Sequence, residues 1–331
     1  MDLVLLAAAV MAFAVAMYVL LDGFDLGVGI LFPFAPDDAA RERMLASVAP
    51  VWDGNETWLV LGGVTLFAAF PLAYSVMLPA LYLGIILFLT ALVFRGVVFE
   101  FRPRSTRKHV WNAAFSAGSM LAAFAQGIVL GTVVEGFELV DGRYAGGPFG
   151  FLSPFTLMTG VALVTGYALL GATWLIIKTE GALQDWSYRT ARPLGLALLG
   201  FIALVSLWTP LAEPAIAARW FRWPNLLYLS PVPIATAALG WGLWTSLRAR
   251  RERAPFVFSV LLFLLAFAGL AISIWPYIVP RHYTLWDAAA QRSSLAFILT
   301  GVAILLPLVL GYTWHTYRIF RGKVRDGDGY H

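Results

Sequence analysis

The chain has 331 residues, 60% of them apolar and only 13% charged, with a formal net charge of +4 and no cysteine. A soluble chain carries roughly 25% charged residues, so this composition excludes an ordinary soluble protein and describes a polytopic helical membrane protein. The absent thiols exclude disulfides, iron–sulfur clusters, thiolate-bound haem and cysteine-based zinc or copper sites, and the basic excess serves orientation in the membrane rather than nucleic-acid binding.

Charge-poor runs predict nine spans, at 3–32, 51–73, 75–98, 112–134, 153–177, 194–211, 228–247, 257–279 and 293–317. The first run starts at Leu3 with no basic segment ahead of it and no small-residue cleavage site behind it. It therefore reads as a retained span and not a signal peptide. Pro71 and Pro79 bracket the junction of the second and third spans, where a tight turn or a kink would suit either.

Basic residues decide that junction. Taking connections alternately, one side collects Arg41, Arg43, Arg95, Arg102, Arg104, Arg107, Lys108, Lys178, Arg189, Arg192, Arg248, Arg250, Arg251, Arg253, Arg318, Arg321, Lys323 and Arg325. The other side collects Arg143, Arg219, Arg222, Arg281 and Arg292. Fusing the two spans would scramble this asymmetry, and cytoplasmic connections are the basic ones. The expected topology is nine spans in a single membrane domain, with the N-terminus outside and the C-terminus in the cytoplasm.

Trp52, Trp111, Trp208, Trp241, Trp244, Trp275 and Trp314 fall near the ends of these spans, as an interfacial aromatic belt requires. Only the outer connections around 135–152 and 212–227 have any length, so no soluble domain fits between spans. No sequence repeat is evident, although eight of the nine helices can form two four-helix bundles with the ninth peripheral. The polar tail 326–331, DGDGYH, is expected to fray.

The chemistry concentrates in the first two spans. Residues 18–34 read YVLLDGFDLGVGILFPF and residues 51–61 read VWDGNETWLVL. Asp22 and Asp25 are three apart and share a helix face. Gly23 and Gly27, with Gly29 following, form a small-residue seam where another helix can approach closely. Counted from Leu3, Asp22 lies about 28 Å along the first helix at about 1.5 Å per residue, which places both acids toward the cytoplasmic side. Asp53 and Glu56 open the second span from that same side, so the four acids can converge.

Intramembrane carboxylates mark ion or proton pathways, and a cytoplasm-facing acid cluster suits proton uptake. A plainer reading stands beside this one. Asp53 and Glu56 read equally well as a helix cap with its partner three residues on, and Asp22 and Asp25 could lie in interfacial water. The apolar run extending to Phe34 favours the pathway reading for the first pair.

Other polar residues carry weaker signals. Arg102 reads as a snorkelling charge, while Arg95 fits either snorkelling or pairing with the acids. Gln126 fits an interhelical hydrogen bond, and Asp287 with Arg292 fits a helix cap. His109, His282, His315 and His331 all fall outside mid-span positions, so no axial pair for a haem is expected. Walker, Rossmann and Ser–His–Asp patterns are absent. Proton-handling residues without a redox centre point to a chain that works beside a partner.

At this point the residues carry a resemblance. DGFDLGVGILFPF at 22–34, VWDGNETWLVLGG at 51–63, LFAAFPLAYS at 66–75, FRGVVFEFR at 94–102 and LWDA at 285–288 together resemble subunit II of the cytochrome bd-type quinol oxidases, most of all the shorter, cyanide-insensitive branch. The resemblance implies a heterodimer in the bacterial cytoplasmic (inner) membrane. A subunit I carries the haems, b and d or b-type only, and oxidises ubiquinol. Subunit II carries no haem and supports assembly and proton access.

It further implies acidic positions at Asp22, Asp25, Asp53 and Glu100, a ubiquinone bound in some members, and a small third subunit. One branch has a histidine directly before the WDGN motif where this chain has Val51, which removes any proton role tied to that histidine. The rival reading is a proton- or sodium-coupled secondary transporter. It would use Asp22 and Asp25 as the coupling site and the glycine-rich first helix as a broken helix.

Overall fold

The computed structural model describes residues 2–324, so the DGDGYH tail and His331 lie outside the described residues. The chain is almost entirely helical. The expectation of an all-α chain needs one correction, because two small antiparallel hairpins occupy connections. These are β1 (Leu139–Val140) with β2 (Arg143–Tyr144), and β3 (Tyr277–Val279) with β4 (Tyr283–Thr284).

Helix α1 runs Leu3–Leu31 and is capped by Asp2, whose carboxylate accepts from the Val4 and Leu5 amides. It tightens into a single 3₁₀ turn over Phe32–Phe34 at Pro33. The basic connection that follows is not a loop. Asp37 caps a further helix, α2 (Asp38–Val48), which buries Ala40, Met44, Leu45, Ser47 and Val48. Their three- and four-residue spacing gives α2 one apolar face.

Helix α3 (Trp52–Ala69) and helix α4 (Pro71–Phe101) are separated only by Phe70, so the break falls a few residues before the predicted junction. Pro71 occupies the first turn of α4, where a missing N–H has no cost, and Pro79 stays inside that helix. Helix α5 (Lys108–Glu135) stops at Gly136, whose φ of 75° lies in the left-handed region. Helix α6 (Pro154–Lys178) starts with a capping box formed by Ser153 and Thr156.

Helix α7 (Gly181–Ala212) begins well before the predicted 194 and carries Pro193 in its interior. The remainder comprises α8 (Pro214–Phe221), α9 (Asn225–Leu229), α10 (Pro231–Arg248), α11 (Ala254–Ile274), α12 (Leu285–Ala288) and α13 (Arg292–Ile319). Among the described residues, eight helical segments are long and apolar enough to cross a membrane. Helix α3 is the predicted span that does not qualify, because its opening turns carry Asp53, Asn55 and Glu56 within 18 residues.

Helix α1 organises the packing. It lies against α3, α5, α6 and α13, and every residue from Asp22 to Leu31 is buried. The approach of α6 is closest at Gly27 and Gly171. A Cβ on Gly27 would stand 1.8 Å from the Tyr167 carbonyl oxygen, and one on Gly171 would stand 2.3 Å from the Gly27 carbonyl carbon. Only glycine fits two backbones at that distance. Elsewhere large apolar side chains such as Leu211 and Phe297 are exposed, as a lipid-facing surface requires.

Candidate functional site

Polar side chains from four helices meet beside this tight seam. Asp22 and Asp25 project from the buried half of α1, Asn55 and Glu56 from the start of α3, Arg95 from the last third of α4, and Tyr317 from the end of α13. Arg95 belongs to the core face of α4 with Ala91, Leu92, Val98 and Phe99. Gly118 of α5 packs directly on the Arg95 backbone, where a Cβ would come within 3.0 Å of its amide nitrogen. A guanidinium on such a face must be paired, because an uncompensated buried charge is prohibitive.

Arg95 is fully buried and donates from Nη1 to Asp22 Oδ1 at 2.6 Å and from Nη2 to Glu56 Oε1. Its guanidinium also lies 5.8 Å from the Trp52 ring centre, within reach of a cation–π contact. The Asp22 side chain is fully buried, whereas that of Glu56 keeps 25% exposure. Asp25 has a different partner. Its Oδ2 accepts from Asn55 Nδ2 at 2.7 Å, and its Oδ1 has no hydrogen-bond partner. Asn55 also donates to the Leu21 carbonyl at 3.3 Å and accepts from the Tyr317 hydroxyl at 3.0 Å.

Two carboxyl groups therefore share one guanidinium, and a third stands beside them. Unit charges about 4 Å apart interact by about 4 kcal/mol at an effective dielectric near 20, enough for one cation to hold Asp22 and Glu56. Asp25 is left bonded to an uncharged amide. Such a cluster can take up or release a proton at Asp25 without breaking either ion pair.

The predicted site residues separate into two groups. Asp22, Asp25 and Glu56 come together. Asp53 is exposed in the first turn of α3, and Glu100 is exposed near the end of α4. The capping alternative for Asp53 and Glu56 is not formed, since Val51 precedes α3 without a side-chain cap and Glu56 is committed to Arg95. Gly23, Gly27 and Gly29 do sit at helix contacts, the first two against α6 and the third against Ser119 of α5. Gln126 accepts from the Tyr167 hydroxyl at 2.8 Å across α5 and α6, and Asp287 closes a capping box with Thr284.

Arg102 corrects the snorkelling reading. It is almost fully buried and makes a two-pronged contact with Glu42 at 2.8 and 2.9 Å, while its Nε donates to Asn112 at 2.7 Å. Lys108 adds a third donor to Glu42 at 3.1 Å. The Arg102 guanidinium, with help from Lys108, holds the Glu42 carboxyl below the usual glutamate range despite partial burial. This clamp ties α2 to the α4–α5 junction. Asn55 and Tyr317 escaped the sequence reading. Asn55 stood beside Glu56 in the WDGNE run, but nothing in sequence links it to a tyrosine of α13.

His109, His282 and His315 are exposed. Among the described residues, no group of three or more histidines, cysteines or carboxylates is placed to hold a metal ion.

Comparisons with known proteins agree on one family. Residues 3–320 match the family described as cytochrome bd terminal oxidase subunit II. The chain is 31% identical to the cytochrome bd-I ubiquinol oxidase subunit 2 of Escherichia coli (strain K12), covering 93% of this chain and 91% of that one. It is 26% identical to the cytochrome bd ubiquinol oxidase subunit 2 of Bacillus subtilis (strain 168), covering 92% and 91%. The fold resembles that of a chain in the bd oxidase structure from Geobacillus thermodenitrificans, with a TM-score of 0.80, 19% identity and coverage of 97% and 99%. Helix α1 is also continuous from Leu3 to Leu31, whereas the transporter alternative called for a broken helix. The chain belongs to the cytochrome bd terminal oxidase subunit II family, and it is a multi-pass membrane protein.

Proposed function

We propose that this chain is the haem-free subunit of a membrane quinol:oxygen oxidoreductase, and that it supports assembly of a haem-bearing subunit I and admits protons from the cytoplasm. The observation that carries the reading is the buried cluster in which Arg95 pairs with Asp22 and Glu56 while Asp25 bonds the Asn55 amide and keeps one oxygen unpartnered. Reduction of oxygen by ubiquinol yields ubiquinone and water, and the protons for water need a polar route through hydrocarbon. Haems b and d, or b-type haem alone, belong to the partner, because exposed histidines at helix ends and in a loop do not fit axial ligation inside a bundle. A bound ubiquinone and a small third subunit complete the expected assembly.

In this reading α3 is a ninth span, the α2 end of the molecule faces the cytoplasm of a bacterial inner membrane, and two four-helix bundles account for eight of the nine. Exposed Asp53 and the partly exposed Glu56 lie on the α3 surface offered to the partner. Charged groups on a spanning helix need water or protein beside them. The test co-expresses the chain with subunit I and replaces Asp25, and separately Asp53, by Asn. Slower quinol-driven oxygen consumption in a complex with a full haem spectrum is the expected result for Asp25→Asn. Wild-type turnover in both haem-replete variants removes the proton role and leaves assembly alone.

A further inference from the structure

Tyr317 stands outside every motif of the sequence, yet it makes the outermost bond of the cluster. Its hydroxyl donates to Asn55 Oδ1, and Asn55 is 1% exposed. A primary amide has donors on one side and an acceptor on the other, and only its neighbours decide which way it points. Here both N–H directions are used, toward the Leu21 carbonyl and toward Asp25 Oδ2. Turned over, the amide would set its oxygen against the Leu21 carbonyl, which has no proton to give, and against Asp25. It would also forfeit the tyrosine's O–H donation.

The ring that carries this hydroxyl is itself held. It meets Phe24 edge-on at 6.5 Å and Trp174 edge-on at 6.2 Å. A crevice of about 10 Å³ opens beside the same pair, bordered by Val51, Gly54, Asn55, Thr316 and Tyr317. That is close to the smallest space that admits a single water. The amide and the hydroxyl thus stand between α1 and a small recess of mixed polar and apolar lining at the junction of α3 and α13.

We infer that Tyr317 is a positioning residue for Asp25, holding the Asn55 amide with its N–H toward the carboxyl so that the free Asp25 oxygen is the one left to exchange a proton. This rests on the proton-access reading only for its consequence in turnover, since the orientation of the amide is a matter of hydrogen bonding alone. Tyr317 acts wholly through Asn55. Tyr317→Phe and Asn55→Ala should therefore have overlapping and not additive effects.

The experiment uses the complex with subunit I, checked for haem content, and records infrared carboxyl and carboxylate bands, assigning those of Asp25 by their loss in Asp25→Asn. Tyr317→Phe keeps the packed ring and is expected to shift the Asp25 bands and slow turnover about two- to tenfold, the factor one lost hydrogen bond supplies. In the Asn55→Ala background the same substitution should change neither bands nor rate further. Asp25 bands unmoved by Tyr317→Phe, or a second full shift in the double variant, would overturn the positioning role. Wild-type turnover in Asp25→Asn, together with Asp25 bands that shift with Tyr317→Phe in the complex that keeps Asp25, would instead sink the proton-access reading and leave the positioning intact.

Discussion

Replacing Arg95 by Met keeps an unbranched apolar stem while deleting the charge and every donor at the centre of the cluster. Glu56 keeps a quarter of its side chain exposed and can turn toward water, so the cost falls on fully buried Asp22. Removing one partner of a buried ion pair costs about 3–5 kcal/mol. A second argument gives a similar figure. The stranded carboxyl can always be neutralised, and protonating an ordinary aspartate at pH 7 costs about 4 kcal/mol, at about 1.36 kcal/mol per pH unit.

Thermal unfolding of the purified complex should therefore fall by roughly 6–10 °C, taking about 2 °C per kcal/mol for a chain of this size. Adding Asp22→Asn removes the stranded charge and should recover about half of that loss or more. A single Arg95→Met variant melting at the wild-type temperature would refute the view that this guanidinium holds the acids inside the bundle. So would a double variant less stable than the single one.

Gly27→Ala should part α1 from α6, because the new carbon meets backbone rather than a movable side chain. Overpacking of that kind costs about 1–3 kcal/mol or more, while Gly63→Ala, with nothing within 4 Å, should leave the melting temperature unchanged or raised. The Glu42 clamp predicts a pH dependence of definite sign. Its carboxyl is held below the usual range, so the clamp is complete above the ordinary glutamate range and is lost as pH falls through the lowered value. Protection of α2 amides, taken relative to their intrinsic exchange rates, should fall on acidification in the wild type, and in Glu42→Gln it should already be low and change little through that window. Asp53→Asn should change the stability of the isolated chain by no more than about 0.5 kcal/mol, since its side chain is exposed; a melting shift as large as that of Arg95→Met would contradict its placement.

Much of the site could be read before any fold was known. Asp22 and Asp25 interrupt an apolar run, and carboxylates in such a run are so costly that they had to meet a cation, a donor or water. Gly23 and Gly27, four residues apart on the same helix, announced a close contact, and the family motifs ran in order through the N-terminal third and again at 285–288. Arg95 stayed ambiguous because its partner lies 73 residues away, and a lone arginine near a span end pairs or snorkels with equal ease. Asp53 and Glu100 share the composition of the cluster but occupy exposed positions of α3 and α4. Sequence spacing placed them near the right depth and could not choose their face.

Sequence alone determined that the chain lives in a membrane and which segment holds the costly charges, because hydropathy acts locally. Tertiary structure alone decided that Arg95 serves two acids, that Asp25 answers to an amide instead of a cation, and that Tyr317 reaches that amide across 262 residues of chain. Hydrogen bonds and ion pairs are made through space at about 3 Å. Only the packing of α1, α3, α4 and α13 brings those atoms within that range.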